Sequence, residues 1–416
     1  MVVVSSGHHS ISLHTPIYSA AFITNQKLIL GAGGGATKSG VKNKLTILEL
    51  DTQSTKNHNL GDGDDVPMSI DYDREVTSHQ NLSIRTLATD SFNPEQNQVL
   101  ITGINSPLST NLHLRTFSIE KDEFIAKTSL KVLNYQSDDH YQRITCLSDH
   151  APKLLAIGGT NNQLEILNYP SLRPAFKTIW VDEATDLLAV DFHADQSQFL
   201  VGSNKSVKVY STKRKLSKKG TKNISDPELL RAFVPPPLGA SGSETTCSFR
   251  NVKYGRGSNA STIYTIVNHV PSKSKSNKKS VFWPKSDPRK AILIAWNLST
   301  GQQIRSKTIS HKPVTSLDVS PLTGRFIAFS SSDLSIGILD GTSLRSLLSI
   351  LHAHEFPVTA IKFSPDEKRV VSCSADMSVR VIELDHSIQD RSSKQFFYIL
   401  LLASLLALII AYLFNK

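Results

Sequence analysis

Residues 352–384 read HAHEFPVTAIKFSPDEKRVVSCSADMSVRVIEL. The run Val358-Thr359-Ala360-Ile361-Lys362-Phe363 is short, apolar and β-branched, which predicts a strand. Ser364-Pro365-Asp366-Glu367-Lys368 predicts a turn, because proline presets the backbone angle of its second position. Arg369–Ser374 predicts a second strand, and Ala375–Ser378 turns the chain again. Val379–Leu384 then alternates with the period of a half-buried strand.

The same grammar recurs upstream. Ser310–Asp340 repeats it around the turn Ser320-Pro321-Leu322-Thr323-Gly324. Weaker copies run over Ala184–Tyr210, Arg143–Tyr169, Ser83–Ile119 and Ile17–Leu50. Ser248–Leu298 fits if Ser272–Arg289 is an insertion. Seven such units, with starts 41 to 66 residues apart, are the mark of a β-propeller, whose blades are small four-stranded sheets. The pattern resembles WD40 repeats, best over His352–Leu384, although Val381-Ile382 stands where the Trp-Asp pair belongs. The resemblance implies an all-β, seven-bladed WD40-like propeller over residues 1–384, closed by a strand from the other terminus such as Ser10–His14. It also implies a structural hydrogen-bonding role for His352 or His354, which enter the last blade.

Charged residues make up 20% of the 416 and hydrophobic ones 39%, which predicts a folded chain. Much of the net charge of +10 sits in two Lys-rich loop insertions, near 213–226 and 270–289. Such runs are solvated loops unless a partner claims them. The Lys runs themselves, 213–222 and 273–279, hold no aromatic residues, which weakens a nucleic-acid role. Cys146, Cys247 and Cys373 are far apart, which gives neither metal spacing nor a disulfide framework and suits a reducing compartment. The first residues lack the charged and apolar regions of a signal peptide.

Phe396–Phe414 reads FFYILLLASLLALIIAYLF, 19 residues without a charge. That length predicts a single C-terminal transmembrane helix, with aromatics at both interfaces. Residues 385–395 would be a juxtamembrane tether and 415–416 a lumenal tail, leaving the propeller in the cytosol.

Residues 31–45, GAGGGATKSGVKNKL, are a glycine-crowded loop between the apolar runs Lys27–Leu30 and Leu45–Leu50. Phosphate-binding glycine loops need a helix to start at the loop. Here a β-prone run follows, which leaves a hairpin loop or a protein-binding loop. No catalytic set stands out. His8-His9 read as structural or solvated, Gly239-Ala240-Ser241-Gly242 lacks the second glycine of a nucleophile elbow, and Asp62, Asp64 and Asp65 miss an EF-hand spacing. The chain therefore reads as a binding module and not an enzyme.

A WD40-like propeller, one C-terminal span, and a first-blade loop ending Gly40-Val41-Lys42-Asn43-Lys44-Leu45 together resemble one family. These are the endoplasmic-reticulum exchange factors for Sar-type small GTPases, which start COPII coat assembly in ER-to-Golgi protein transport and include the prolactin regulatory element-binding protein. The resemblance implies guanine nucleotide exchange on such a GTPase, without covalent chemistry. It implies location in the endoplasmic reticulum membrane, with the Golgi as a second location. Asn43 and Val41 would act on the GTPase switch, with Gly33, Gly34, Gly35, Gly40 and Lys42 forming the partner-binding loop. A potassium ion on backbone carbonyls would hold that loop. The family carries proline where Lys42 stands. No small-molecule substrate or nucleic-acid partner is implied. The alternative is an anchored scaffold that recruits a protein without driving exchange.

Overall fold

The computed structural model describes residues 8–33, 44–50, 85–86, 98–104, 108–120, 123–137, 139–182, 185–214, 224–237, 245–271 and 289–384. They form seven antiparallel sheets, the seven blades of a propeller. Blade 1 holds β2 (Ile17–Phe22), β3 (Lys27–Ala32) and β4 (Lys44–Glu49); blade 2 holds β5 (Arg85–Thr86), β6 (Gln98–Gly103), β7 (Leu114–Glu120) and β8 (Glu123–Leu130). Blade 3 is β9 (Gln142–Leu147), β10 (Leu154–Gly159), β11 (Gln163–Asn168), β12 (Arg173–Pro174) and β13 (Ile179–Trp180). Blade 4 is β14 (Leu187–Phe192), β15 (Gln198–Ser203), β16 (Val207–Ser211) and β17 (Leu229–Phe233). Blade 5 is β18 (Thr245–Tyr254), β19 (Thr262–Pro271), β20 (Lys290–Asn297) and β21 (Gln303–Ser310). Blade 6 is β22 (Val314–Val319), β23 (Phe326–Ser331), β24 (Ile336–Asp340) and β25 (Ser346–Ile350). Blade 7 is β26 (Val358–Phe363), β27 (Arg369–Ser374) and β28 (Ser378–Glu383), completed by β1 (His8–Ser12).

The first strand of each blade lines the centre. β2, β5, β9, β14, β18, β22 and β26 each touch the next, and β26 touches β2, so the ring closes. β1 pairs with β28 from His8↔Ile382 to Ser12↔Ser378, the closure expected of Ser10–His14 but begun two residues earlier. The expected strands at 358–363 and 369–374 form over those residues, and the insertion at 272–289 falls between the paired strands β19 and β20. Phe396–Phe414, with the tether and tail around it, lies outside the described residues. Among those described, no helix is long and apolar enough to cross a membrane.

The core lies between blades. Ile17, Leu28 and Leu30 of blade 1 pack on Ala360, Val371, Cys373 and Val379 of blade 7. Leu200, Val207 and Val209 of blade 4 pack on Val252, Ile263 and Ile294 of blade 5 in the same way. Each such side chain contributes about 1.5–3 kcal/mol on burial, so no blade can hold its apolar face without a neighbour. Burial, and then Asp376, push the Cys373 thiol well above its ordinary range, so it serves as a small core residue and not a nucleophile.

Charge reinforces the inner ring. The fifth residue of β14 is Asp191, and that of β22 is Asp318. Asp191 Oδ2 accepts from Tyr254 N at 2.9 Å, and Asp318 Oδ2 from Phe363 N at 3.1 Å, each in the following blade. Lys253 and Lys362 stand 3.9 Å from these carboxylates, and Arg256 Nη2 reaches Asp191 at 3.0 Å. Asp191 is fully buried, and these donors help make its charge tolerable.

Hydrogen bonds between turns define a lower face. His193 Nε2 meets Ala260 O at 3.0 Å, Asn259 Nδ2 donates to Gly324 O at 2.9 Å, and Arg369 Nη1 donates to Asn25 O at 3.1 Å. Glu367 accepts from Leu322 N at 2.6 Å, Thr323 N at 2.7 Å and Thr323 Oγ1 at 2.6 Å. These residues belong to the turns between first and second strands of blades 4 to 7 and blade 1. Because strands alternate in direction, the turns between second and third strands form the opposite, upper face.

Candidate partner-binding face

The glycine-rich loop joins β3 to β4 and so stands on the upper face of blade 1. Its base is paired up to Ala32↔Lys44, with Gly31 opposite Leu45. Gly33 is buried, takes φ 153°, and donates its N–H to Pro16 O at 2.9 Å. Few L side chains adopt that backbone angle, which accounts for glycine here. Strand β4, not a helix, receives the chain at Lys44, so the geometry at the loop's exit lacks the helix N-terminus that phosphate binding requires. Gly34, Gly35, Gly40, Val41, Lys42 and Asn43 lie outside the described residues; of the seven candidate site residues, the structure positions Gly33 alone.

Blade 7 stands beside this base. The link from β1 to β2 runs between the two: Leu13 N donates to Met377 O at 2.8 Å, and Thr359 Oγ1 donates to Ile17 O at 2.7 Å. On the same face, the connection entering β26 and the turn before β28 present Leu351, Phe356 and Met377, which are 54%, 57% and 37% exposed. The sequence reading passed over them. A Phe inside a polar turn, between Glu355 and Pro357, was the signal to find.

What holds this part of the face is His354. It is 5% exposed; its Nε2 meets Ser372 Oγ at 2.8 Å, and its Nδ1 meets Ser378 Oγ at 2.8 Å and Asp376 Oδ2 at 3.2 Å. Asp376 also accepts from Glu355 N at 2.8 Å, next to Phe356. Burial lowers the His354 pKa, against the raising effect of Asp376. The expected structural histidine is thus His354. His352 sits in the turn at φ 49°.

His113 does comparable work on the upper face, between blades 2 and 3. Val132 N and Leu133 N both donate to its Nε2, at 3.0 and 2.9 Å, so Nδ1 carries the proton and donates to Gln142 Oε1 at 2.8 Å. Burial lowers its pKa. His8 and His9 lie on the closing strand, His8 exposed with Nδ1 3.2 Å from Arg380 Nη1.

Among the described residues no group of His, Cys, Asp and Glu has the makings of a metal site. Asp62, Asp64 and Asp65, and Gly239–Gly242, lie outside them. The two basic insertions part company: Pro271 and Lys290 open the second one on the upper face, whereas 213–226 joins β16 to β17 on the lower. Leu384 N donates to Lys368 O at 2.7 Å, so the chain leaves blade 7 on the lower face, opposite the glycine-rich loop.

The family model "WD domain, G-beta repeat" matches residues 345–383. The guanine nucleotide-exchange factor SEC12 of Candida glabrata is 22% identical over 423 residues, covering 96% of this chain and 78% of its own. SEC12 of Mus musculus is 22% identical over 373 residues, 85% of this chain and 82% of that one. The putative guanine nucleotide-exchange factor SED4 of Saccharomyces cerevisiae is 23% identical over 380 residues; the match covers 89% of this chain but 30% of that longer protein. Among solved structures, Chaetomium thermophilum Raptor superposes with a TM-score of 0.58 at 9% identity, over 90% of this chain and 29% of its own, a likeness of fold alone.

Proposed function

We propose that this chain, a Sec12-like WD40 propeller, promotes GDP release from a Sar-type small GTPase at the endoplasmic reticulum membrane, and so starts COPII vesicle formation. The observation that carries this reading is the near full-length likeness to two proteins named as exchange factors. The paired, buried base of the first-blade loop supports it, because a loop that pries must stand on something stiff.

The mechanism is differential binding. The propeller binds the nucleotide-free GTPase more tightly than the GDP-bound form, and by linkage it weakens GDP binding by the same factor. Each tenfold corresponds to about 1.4 kcal/mol. Asn43 hydrogen-bonds the switch backbone, and Val41 wedges against its apolar residues. Leu351, Phe356 and Met377, beside the loop's base, supply a second apolar contact to the same GTPase. A potassium ion belongs to this proposal. Residues 31–45 hold no carboxylate, so their oxygens are carbonyls, hydroxyls and an amide, a neutral set that suits a monovalent cation better than calcium.

Phe396–Phe414 spans the bilayer in this reading, with 385–395 as the tether. Since Leu384 leaves from the lower face, the base of the loop at Gly33 and Lys44 then lies on the side away from the membrane, open to an approaching GTPase. Anchoring both proteins to one bilayer raises their effective concentration. The test is stopped-flow GDP release from a Sar-type GTPase. The full chain accelerates it, and Asn43→Ala slows that acceleration by about tenfold or more, the size of one lost charge-free switch contact. Unchanged release with Asn43→Ala removes that residue from the mechanism. Replacing 34–43 with a short turn abolishes exchange; recruitment that persists without any exchange by the intact chain favours the scaffold instead.

A further inference from the structure

We propose that a basic groove on the lower rim, between blades 5 and 6, binds the phosphate of an anionic lipid headgroup; this rests on the membrane-anchored reading above. The groove encloses about 470 Å³ and is open to solvent; Arg305, Ser306, Lys307, Ser343, Leu344 and Arg345 line it.

Its cations are uncommitted. Arg305 and Lys307 lie two residues apart on β21, on one face of that strand, and Arg345 ends the turn between β24 and β25. Among the described residues, none of the three has a carboxylate within ion-pair distance, in a protein where Asp191 and Asp318 draw the cations of other blades. Burial, and then the Arg345 guanidinium, lower the Lys307 pKa, so the like charges feel each other. The nearest acid on the turn, Asp340, is occupied: its Oδ1 accepts from Ser343 N and Ser343 Oγ, both at 2.7 Å. Ser306, between them on β21, pairs opposite Ile294 and turns its hydroxyl to the other side of the strand, where it accepts from Gln303 Nε2 at 3.2 Å. Leu344 is buried beneath them, held at φ 58°. Two guanidinium groups and an ammonium around an open groove match the oxygens of a phosphate.

Position selects the source of that phosphate. Gly341 N donates to Arg325 O at 2.6 Å, which fixes the Arg345 turn on the lower face. The neighbouring turn is bridged by Glu367 to blade 7, where Leu384 leaves beside Lys368. The groove is therefore one blade away from the chain's exit. Residues 385–395 reach about 40 Å at full extension, enough to let this rim lie on the bilayer into which 396–414 inserts. A cation near an anionic surface gains about fivefold in binding.

The full chain in nanodiscs tests this, read by amide hydrogen exchange over 303–310 and 341–346. Discs containing phosphatidylserine slow exchange there by about fivefold or more relative to phosphatidylcholine discs. The triple variant Arg305→Gln, Lys307→Gln, Arg345→Gln loses that protection while keeping its thermal transition, and Lys312→Gln on the upper face keeps it. Equal exchange in both kinds of disc overturns the groove and leaves the anchor standing. Equal protection by inorganic phosphate without anionic lipid overturns the lipid as the source. A chain that does not enter discs at all overturns the anchor and this proposal with it.

Discussion

The lower and upper faces are made by the two ends of the same strands, yet they are held differently. Below, short turns lock onto their neighbours: Asn259 to Gly324, Glu367 to Leu322 and Thr323, Arg369 to Asn25. Above, buried histidines do much of this work, His354 within blade 7 and His113 from blade 2 to Gln142 of blade 3, and the connections from β3 to β4 and from β19 to β20 begin and end there. The turns below stabilise the ring because each serves two blades at once.

The comparison makes predictions of decreasing size. Asp191→Ala removes the buried acceptor of Tyr254 N and Arg256 and should cost about 3–5 kcal/mol in denaturant unfolding. A loss below about 1 kcal/mol would mean that the inner ring does not depend on it. Glu367→Ala strips two backbone N–H groups of their acceptor and should cost about 2–3 kcal/mol, whereas Glu367→Gln retains most of that. On the upper face the readouts reverse. Phe356→Ala with Met377→Ala, at exposed positions, should shift unfolding by less than about 0.5 kcal/mol but slow GDP release by about tenfold. If stability falls and exchange does not, the patch belongs to the scaffold.

The smallest effect is that of pH. His113 and His354 both have pKa values lowered from 6.5, chiefly by burial. The unfolded chain therefore binds protons first. Their contribution to stability is complete above pH 6.5 and is lost as the pH falls from there toward the folded-state values. Thermal melts between pH 7.5 and 5 should show the decline, and His113→Gln should reduce it. A profile that rises toward acid would contradict neutral histidines.

Much of blade 7 was legible because its signals are local. Alternation in Val379–Leu384 and proline at position 365 act within a few residues, and the strands form where those signals place them. The same holds for the unit count, since each blade repeats one pattern. The outermost strands were less legible: β8 and β21 are mostly exposed and polar, so nothing apolar marks them. Of the apolar patch, Phe356 alone carries a local signal; its meeting with Leu351 and Met377 was not legible, because only the fold brings the two turns together.

The amino-acid order alone determined that this chain makes strands, how many sheets they form, and which terminus closes the ring, because a two-residue period and turn chemistry are properties of short segments. Only the tertiary structure decided which end of the ring each loop occupies. That assignment depends on counting antiparallel strands and on bonds between blades, and it sets the glycine-rich loop opposite the chain's exit at Leu384.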